Sequence, residues 1–311
     1  MVLAKLHYDH WLAESDVNPE QYLFHYTGVD SLEPILTNGT LKLNTLDGMN
    51  DPREKKPWVA DGIVVTAGDM TDESLKAHGV VQAEPDRLLR QAARVACFTH
   101  ERLPRSDAGK GTMFHRGWGR ARMWHTYGWE HEGVCFVFDT QALGAAIVDA
   151  RPPAESEVTA FFPIVYKDQP LTLPLYGAYE TVEQMRDALD ELTSAKGNGP
   201  GESPLNDLLF TKNTDWQSED ETRALIVLSP DEMNENELAG VPPKPIYIPY
   251  LLSLRAIVFG EDCSPPPEVV ELADHRGVGK EDLARVNWYM GEPILQMAYP
   301  DPPKHIAPQP V

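Results

Sequence analysis

Residues 134–139 form an almost unbroken apolar run, VCFVFD, which limits the folds open to this sequence. Apolar side chains on both faces of a strand require packing layers above and below it. Similar runs occur at residues 94–99 (RVACFT), 223–228 (RALIVL) and 256–260 (AIVFG). The helical patterns between them lack the regular alternation of a doubly wound sheet. We therefore predict an α+β fold with a mixed, largely buried β-sheet and flanking helices.

The 311 residues allow one large domain or two small ones. No internal repeat is evident. We predict an N-terminal extension over residues 1–21, a single globular domain over residues 22–297 and a proline-rich tail over residues 298–311. The net charge of -21 disfavours general nucleic-acid binding, because such a surface repels a phosphate backbone. A site for a single nucleotide remains compatible with it.

The three cysteines, Cys97, Cys135 and Cys263, form no CxxC pair. We interpret them as buried, reduced thiols, which favours a reducing compartment. The N-terminus has no apolar signal segment, and no stretch approaches the roughly 18 apolar residues of a membrane span. We therefore expect a cytoplasmic protein without a membrane partner.

Two segments near the N-terminus contain polar side chains that could contact a ligand. His25 lies in an aromatic strand-like run, YLFHYT. Its ring either forms a hydrogen bond with a ligand hydroxyl or lies in the core, where its nitrogens bond to protein groups. The second segment is Asn50-Asp51-Pro52, which is typical of a turn. Its side chains bond either the local backbone or a ligand.

The third segment, residues 124–133 (WHTYGWEHEG), is dense in side chains with an apolar body and a polar tip. If it is one helix, Trp124, Tyr127 and His131 share a face, because they are three and four residues apart. Such a face can stack on a planar ring. A zinc site from His125, His131 and a glutamate would have a non-standard spacing, so we predict no metal.

The fourth segment, residues 212–223, reads KNTDWQSEDETR. In an extended chain Glu219 and Glu221 would point to the same side. Two carboxylates on one face repel each other unless they serve a purpose or pair with a cation. Arg223 shares that face and could be the partner. The alternative is a solvated cluster on an edge strand. We predict that the four segments converge on one pocket.

In this order the segments resemble the bacterial family known as domain of unknown function 2971. Its pattern is H-Y-T, N-D-P, C-F-S/T, W-x-x-Y-x-x-x-H-x-G, and a lysine before W-x-x-E-x-E-x-R. The matching residues here are His25–Thr27, Asn50–Pro52, Cys97–Thr99, Trp124, Tyr127, His131, Gly133, Lys212, Trp216, Glu219, Glu221 and Arg223. The resemblance spans residues 22 to about 260 and implies no activity by itself.

The order of His-x-Thr, an aromatic motif and Glu-x-Glu is also similar to the ADP-ribosyltransferase superfamily. This resemblance implies that superfamily's fold, with NAD as the substrate. It implies that His25 and Thr27 position NAD, that Glu221 is the catalytic carboxylate, and that Glu219 orients the acceptor. Tyr127 would stack on nicotinamide, with Tyr166 as a second candidate. Further NAD contacts would come from Tyr26, Asn50, Asp51, Trp124, His131 and Lys212, and from Arg223 or an arginine within residues 102–120 at the pyrophosphate.

The sequence thus predicts an NAD-dependent ADP-ribosyltransferase or NAD glycohydrolase, in the role of a toxin or defence effector. Its partners would be a nucleotide-like small molecule and a protein or nucleic-acid acceptor. One alternative is a non-enzymatic nucleotide-sensing or interaction module in bacterial defence. A further alternative is a hydrolase of nucleotides or nucleic-acid ends.

Overall fold

The structure is a computed structural model, and it describes residues 11–13, 18, 20–58, 86–102, 113–150, 158–170, 172, 184, 187–188, 204–228 and 241–299. The predicted tail beyond residue 299 lies outside these ranges. Twelve strands occur in the described residues: β1 Tyr22–Thr27, β2 Thr40–Thr45, β3 Ala93–His100, β4 Val134–Asp139, β5 Val158–Pro163, β6 Val165–Tyr166, β7 Thr211–Lys212, β8 Glu221–Val227, β9 Ile246–Pro249, β10 Leu254–Phe259, β11 Leu283–Tyr289 and β12 Glu292–Met297.

The described part of the chain also contains six α-helices whose first and last residues are defined. They are α1 Leu32–Asn38, α2 Pro52–Lys55, α3 Ala121–Thr126, α4 Thr140–Ala150, α5 Pro204–Leu209 and α6 Val269–Asp274. Residues 86–92 are also helical. Gly39 follows α1 with φ 66°, a left-handed conformation that suits glycine at a helix end.

The contacts divide the chain into two compact units. The first comprises Met1–Asn38, Glu101–Asp139 and Leu254–Val311. Its strands follow the order β12-β11-β10-β4-β1, in which β10 and β11 are parallel and the other neighbours antiparallel. The apolar run at 134–139 is the inner strand β4, and residues 134–138 are completely buried. The aromatic core of this unit includes Phe24, Trp118 and Trp124.

The second unit comprises Gly39–His100 and Thr140–Ser253. Its strands follow the order β9-β2-β3-β8-β5, and every neighbouring pair is antiparallel. The short strands β6 and β7 form a separate parallel pair. Strand β8 lies between β3 and β5, and all seven of its residues are buried. Glu221 and Arg223 are therefore held inside a sheet rather than at its edge.

The predicted α+β class, with mixed strand pairing and accompanying helices, is confirmed. The predicted division into an extension, one domain and a tail stays a prediction. All three cysteines are free, and Cys135 and Cys263 are buried, whereas Cys97 is partly buried. Within the described ranges, no helix is long and apolar enough to cross a membrane.

Candidate functional site

The fourth sequence segment folds around the ammonium group of Lys212. Its Nζ lies 2.5 Å from Glu221 Oε2 and 3.1 Å from Glu219 Oε2. The same Nζ lies 5.5 Å from the centre of the Trp216 ring, within the range of a cation–π contact. The spacing K-x-x-x-W-x-x-E-x-E therefore describes one spatial cluster around a buried lysine.

Arg223 completes this cluster from the middle of the second unit's sheet. Its Nε lies 2.9 Å from Glu221 Oε1, as the shared face predicted. Its Nη1 donates to the carbonyl of Leu209 at 2.5 Å, and its Nη2 lies 2.5 Å from Glu54 Oε1. We call Glu54, Lys212, Glu219, Glu221 and Arg223 the carboxylate cluster. Each of the five residues is at most 3% exposed.

Glu54 was not predicted, and the Asn50-Asp51-Pro52 turn explains its position. Asp51 caps α2 by accepting a hydrogen bond from the Arg53 amide at 2.9 Å, and Pro52 occupies the first turn. Asn50 is exposed and Asp51 buried. The turn thus begins the helix that carries Glu54 into the cluster. The spacing D-x-x-E, an N-cap followed by an acid three residues later, was the signal that could have located it.

The predicted extended geometry from Glu219 to Glu221 is wrong. Glu219 ends a 3₁₀ helix, Asp220 has φ 42° and ψ 55°, and Glu221 begins β8. The left-handed residue turns the chain between the two acids, and both still reach Lys212. The predicted alternative of a solvated edge cluster is also wrong, because these side chains are buried within the unit.

The two principal acids of the carboxylate cluster have opposite pKa shifts. Burial alone would raise the pKa of Glu221, but the charges of Arg223 and Lys212 outweigh it and lower that pKa to about 2. Burial raises the pKa of Glu54 despite the same two cations. Although burial opposes its charge, Lys212 has a raised pKa because Glu221 and Glu54 favour the ammonium form. Of Glu54 and Glu221, which share the same two cations, Glu54 is the acid that more readily keeps a proton.

In the first unit, β1 carries the H-Y-T motif. His25 and Thr27 are partly buried, whereas Tyr26 is 7% exposed. The Tyr26 hydroxyl donates to the Gly117 carbonyl at 2.5 Å, and its ring packs edge-on against Trp124. Tyr26 is therefore a core residue on the geometry shown, while its predicted contact with NAD stays a prediction.

Trp124, Tyr127 and His131 do not lie on one helix, so the condition for a shared helical face is not met. Helix α3 ends at Thr126, and Trp129, Glu130 and His131 have φ angles of 47°, 53° and 74°. We call these three residues the left-handed turn. It nevertheless brings His131 back over Trp124, with ring centres 6.3 Å apart. Left-handed conformations cost residues other than glycine about 1–2 kcal/mol each, so the surrounding structure must hold this turn in place.

Two glycines provide the close packing around the left-handed turn. A Cβ atom on Gly133 would lie 2.4 Å from the Thr27 carbonyl oxygen, and one on Gly260 would lie 2.0 Å from the His131 carbonyl oxygen. Asp262 donates its amide to that same His131 oxygen at 3.2 Å. The backbone of the turn is therefore fixed against the ends of β1 and β10.

His131 is held by two tryptophans. Trp288 Nε1 donates to His131 Nδ1 at 3.2 Å, and Trp124 stacks on the imidazole. Burial lowers the pKa of His131, which Glu261 and Asp262 partly oppose. A neutral ring suits the hydrogen bond from Trp288, because a protonated Nδ1 could not accept it.

The structure thus groups His25, Thr27, Trp124, Tyr127 and His131 in the first unit. It groups Asp51 and the carboxylate cluster in the second. The prediction that the two groups face a single pocket stays a prediction. No set of three or more histidine, cysteine, aspartate or glutamate side chains among the described residues is arranged to hold a metal.

Residues 123–224 match the model of the family described as protein of unknown function (DUF2971). The match contains both the aromatic segment and the residues from Lys212 to Arg223, so the family resemblance is confirmed over that range. No curated protein and no solved structure matches the chain. The similarity to ADP-ribosyltransferases stays a prediction.

Proposed function

We propose that this chain binds NAD and cleaves its nicotinamide–ribose bond, passing ADP-ribose to water or to an acceptor. The observation that supports the proposal is the position of the Glu221 carboxylate, 2.5 Å from Lys212 Nζ and 2.9 Å from Arg223 Nε. Despite burial, these two positive charges lower the pKa of Glu221 and favour its ionised form at neutral pH. Departure of nicotinamide leaves positive charge on the ribose carbon. A fixed negative charge beside that carbon stabilises the transition state, as in glycosidases.

In the proposed reaction the C1′–N1 bond breaks and its electron pair leaves with nicotinamide, which becomes neutral. Glu221 stabilises the resulting oxocarbenium-like ribose. The oxygen of water, or of an acceptor hydroxyl, then forms the new bond to C1′ and releases its proton to the carboxylate of Glu219. Lys212 Nζ lies 3.1 Å from Glu219 Oε2 and would hold that carboxylate in position for the transfer. The resemblance to ADP-ribosyltransferases gives His25 and Thr27 a separate role in binding NAD.

The direct experiment incubates the purified protein with NAD and measures free nicotinamide by mass spectrometry. We expect turnover by the parent protein, and its absence would overturn the proposal without any variant. Glu221→Gln should abolish turnover, and circular dichroism must show that this variant is folded. The exposed Glu33 offers a matched glutamate control, and Glu33→Gln should leave turnover unchanged.

Because Glu221 also contributes to the stability of the second unit, a variant at a different residue is needed to test NAD binding. His25→Ala should raise the KM for NAD, because the imidazole would no longer contribute to NAD binding. His275 is exposed and lies, like His25, in the first unit, so His275→Ala serves as the matched control. An unchanged KM in His25→Ala would remove His25 from the proposed site.

A second candidate is a non-enzymatic module that binds a nucleotide. The observation that favours it is the burial of Glu219 and Glu221, which are 3% and 2% exposed and already paired with Lys212. Acids that are saturated by internal ion pairs are typical of a structural cluster. Binding of NAD in calorimetry without release of nicotinamide would favour this candidate over the enzyme.

A further inference from the structure

The left-handed turn presents one aromatic side chain in an unusual way. Trp129 is 59% exposed, although it begins a run of three residues with positive φ. Isolated exposed apolar side chains are common on protein surfaces. A positive φ at a residue other than glycine is uncommon, however, and such conformations concentrate at binding sites.

The other aromatic residues of the segment are committed to the protein interior. Trp124 is completely buried and donates its Nε1 to the Trp118 carbonyl at 2.7 Å. Tyr127 packs against the core of the first unit. Of these three rings, Trp129 has by far the most surface available to a ligand.

The Trp129 indole is also fixed by the residue that follows the H-Y-T motif. A Cβ atom on Gly28 would lie 2.7 Å from Cε2 and 2.8 Å from Nε1 of the indole. The ring therefore lies directly on the backbone at the end of β1. A side chain at position 28 would displace the indole, whereas glycine leaves room for the ring to pack against the backbone. One part of the indole is thus supported by the protein while the rest stays open.

We infer that Trp129 is the stacking residue of a binding site for a planar heteroaromatic ring, such as the base of a nucleotide. A supported, partly exposed indole gains from stacking because little conformational freedom is lost when the ligand binds. The inference assigns to Trp129 the role that the sequence predicted for Tyr127. It does not require the proposed cleavage of NAD.

The test uses two-dimensional NMR of the indole N–H groups, with the Trp129 signal assigned from Trp129→Phe. The protein is titrated with adenosine, nicotinamide, NAD and, as a probe without an aromatic ring, ribose 5-phosphate. We expect at least one ring-containing probe to shift the Trp129 signal and ribose 5-phosphate to leave it in place. If no ring-containing probe shifts it, the inference is overturned.

Affinity measurements provide the matched variants. Trp129→Ala should weaken binding of the ring-containing probe by about 5- to 150-fold, the range that stacking on one aromatic side chain provides. Trp129→Phe should retain most of the affinity. Tyr247, an aromatic residue that is 62% exposed, is the control, and Tyr247→Ala should bind as the parent does. Unchanged binding by Trp129→Ala would overturn the inference.

The same variants separate this inference from the proposed function. If NAD is cleaved and Trp129→Ala has the parent KM for NAD, the stacking role fails and the reaction stands. If a ring binds at Trp129 and no nicotinamide is released, the reaction fails and the stacking site stands. Gly28→Ala gives an independent check, since a Cβ that displaces the indole should also weaken binding.

Discussion

Replacing the two acids that contact Arg223 should have unequal effects on stability. Glu221→Gln and Glu54→Gln both remove one carboxylate charge with almost no change in shape. The pKa of Glu221 is about 2, against an ordinary value of 4.5. At about 1.4 kcal/mol per pH unit, this difference corresponds to about 3 kcal/mol in favour of the folded state. Removing one partner of a buried ion pair costs a similar amount, about 3–5 kcal/mol.

Glu54 should behave in the opposite sense. Its pKa is raised by burial, so the folded protein favours its neutral form more than the unfolded chain does. Glutamine imitates that neutral form. We therefore expect Glu54→Gln to lower the free energy of unfolding at pH 7 by less than Glu221→Gln does. Urea unfolding followed by far-ultraviolet circular dichroism measures both values.

The pH dependence provides a second readout of the same pair. Because its folded pKa is lowered, Glu221 contributes stability above about pH 4.5 and loses it as the pH falls towards about 2. The raised pKa of Glu54 gives a contribution that is present below about pH 4.5 and lost as the pH rises through the folded value. Glu221→Gln should therefore flatten the acid side of the stability profile. The reasoning is refuted if Glu54→Gln is the more destabilising variant at pH 7.

Three further predictions concern other features of the chain. Gly260→Ala should destabilise by about 1–3 kcal/mol because the new methyl group meets the His131 carbonyl, whereas Gly144→Ala, with open space inside α4, should stabilise by about 0.5–1 kcal/mol in thermal unfolding. In NMR titration His131 should have a pKa below 6.5, its contribution to stability should fall as the pH drops below that value, and Trp288→Phe should raise the pKa by removing the donor to Nδ1. The pKa values of all three thiols are raised by burial, so a disulfide reagent at pH 8 should modify the native protein much more slowly than the urea-unfolded chain.

The sequence predicted those elements whose side-chain patterns are local. The strand at 134–139 and the one that contains Arg223 followed from continuous apolar runs, and both are inner strands. The pairing of Glu221 with Arg223 followed from the two-residue period of a strand, and it is confirmed. These features depend on neighbouring residues, which a sequence displays directly.

The features that were missed depend on backbone conformation or on distant partners. The left-handed turn at Trp129–His131 contains no glycine, so no local sequence preference indicates it. Packing against Gly133 and Gly260 fixes its conformation. Glu54 joins the carboxylate cluster from a different part of the chain, because helix α2 carries it there. Tertiary contacts decide both, and residue spacing does not reveal them.

The position of Glu54 also bears on the order in which the protein folds. Glu54 precedes Lys212 by 158 residues (212 minus 54), and their side chains meet at 3.9 Å. A contact across so long a loop is slow to form. Interactions absent from the folding transition state govern how fast a native chain opens. If the contact of Glu54 with Lys212 is absent from the folding transition state, the Asn50-Asp51-Pro52 turn slows the unfolding of the second unit by holding Glu54 in place.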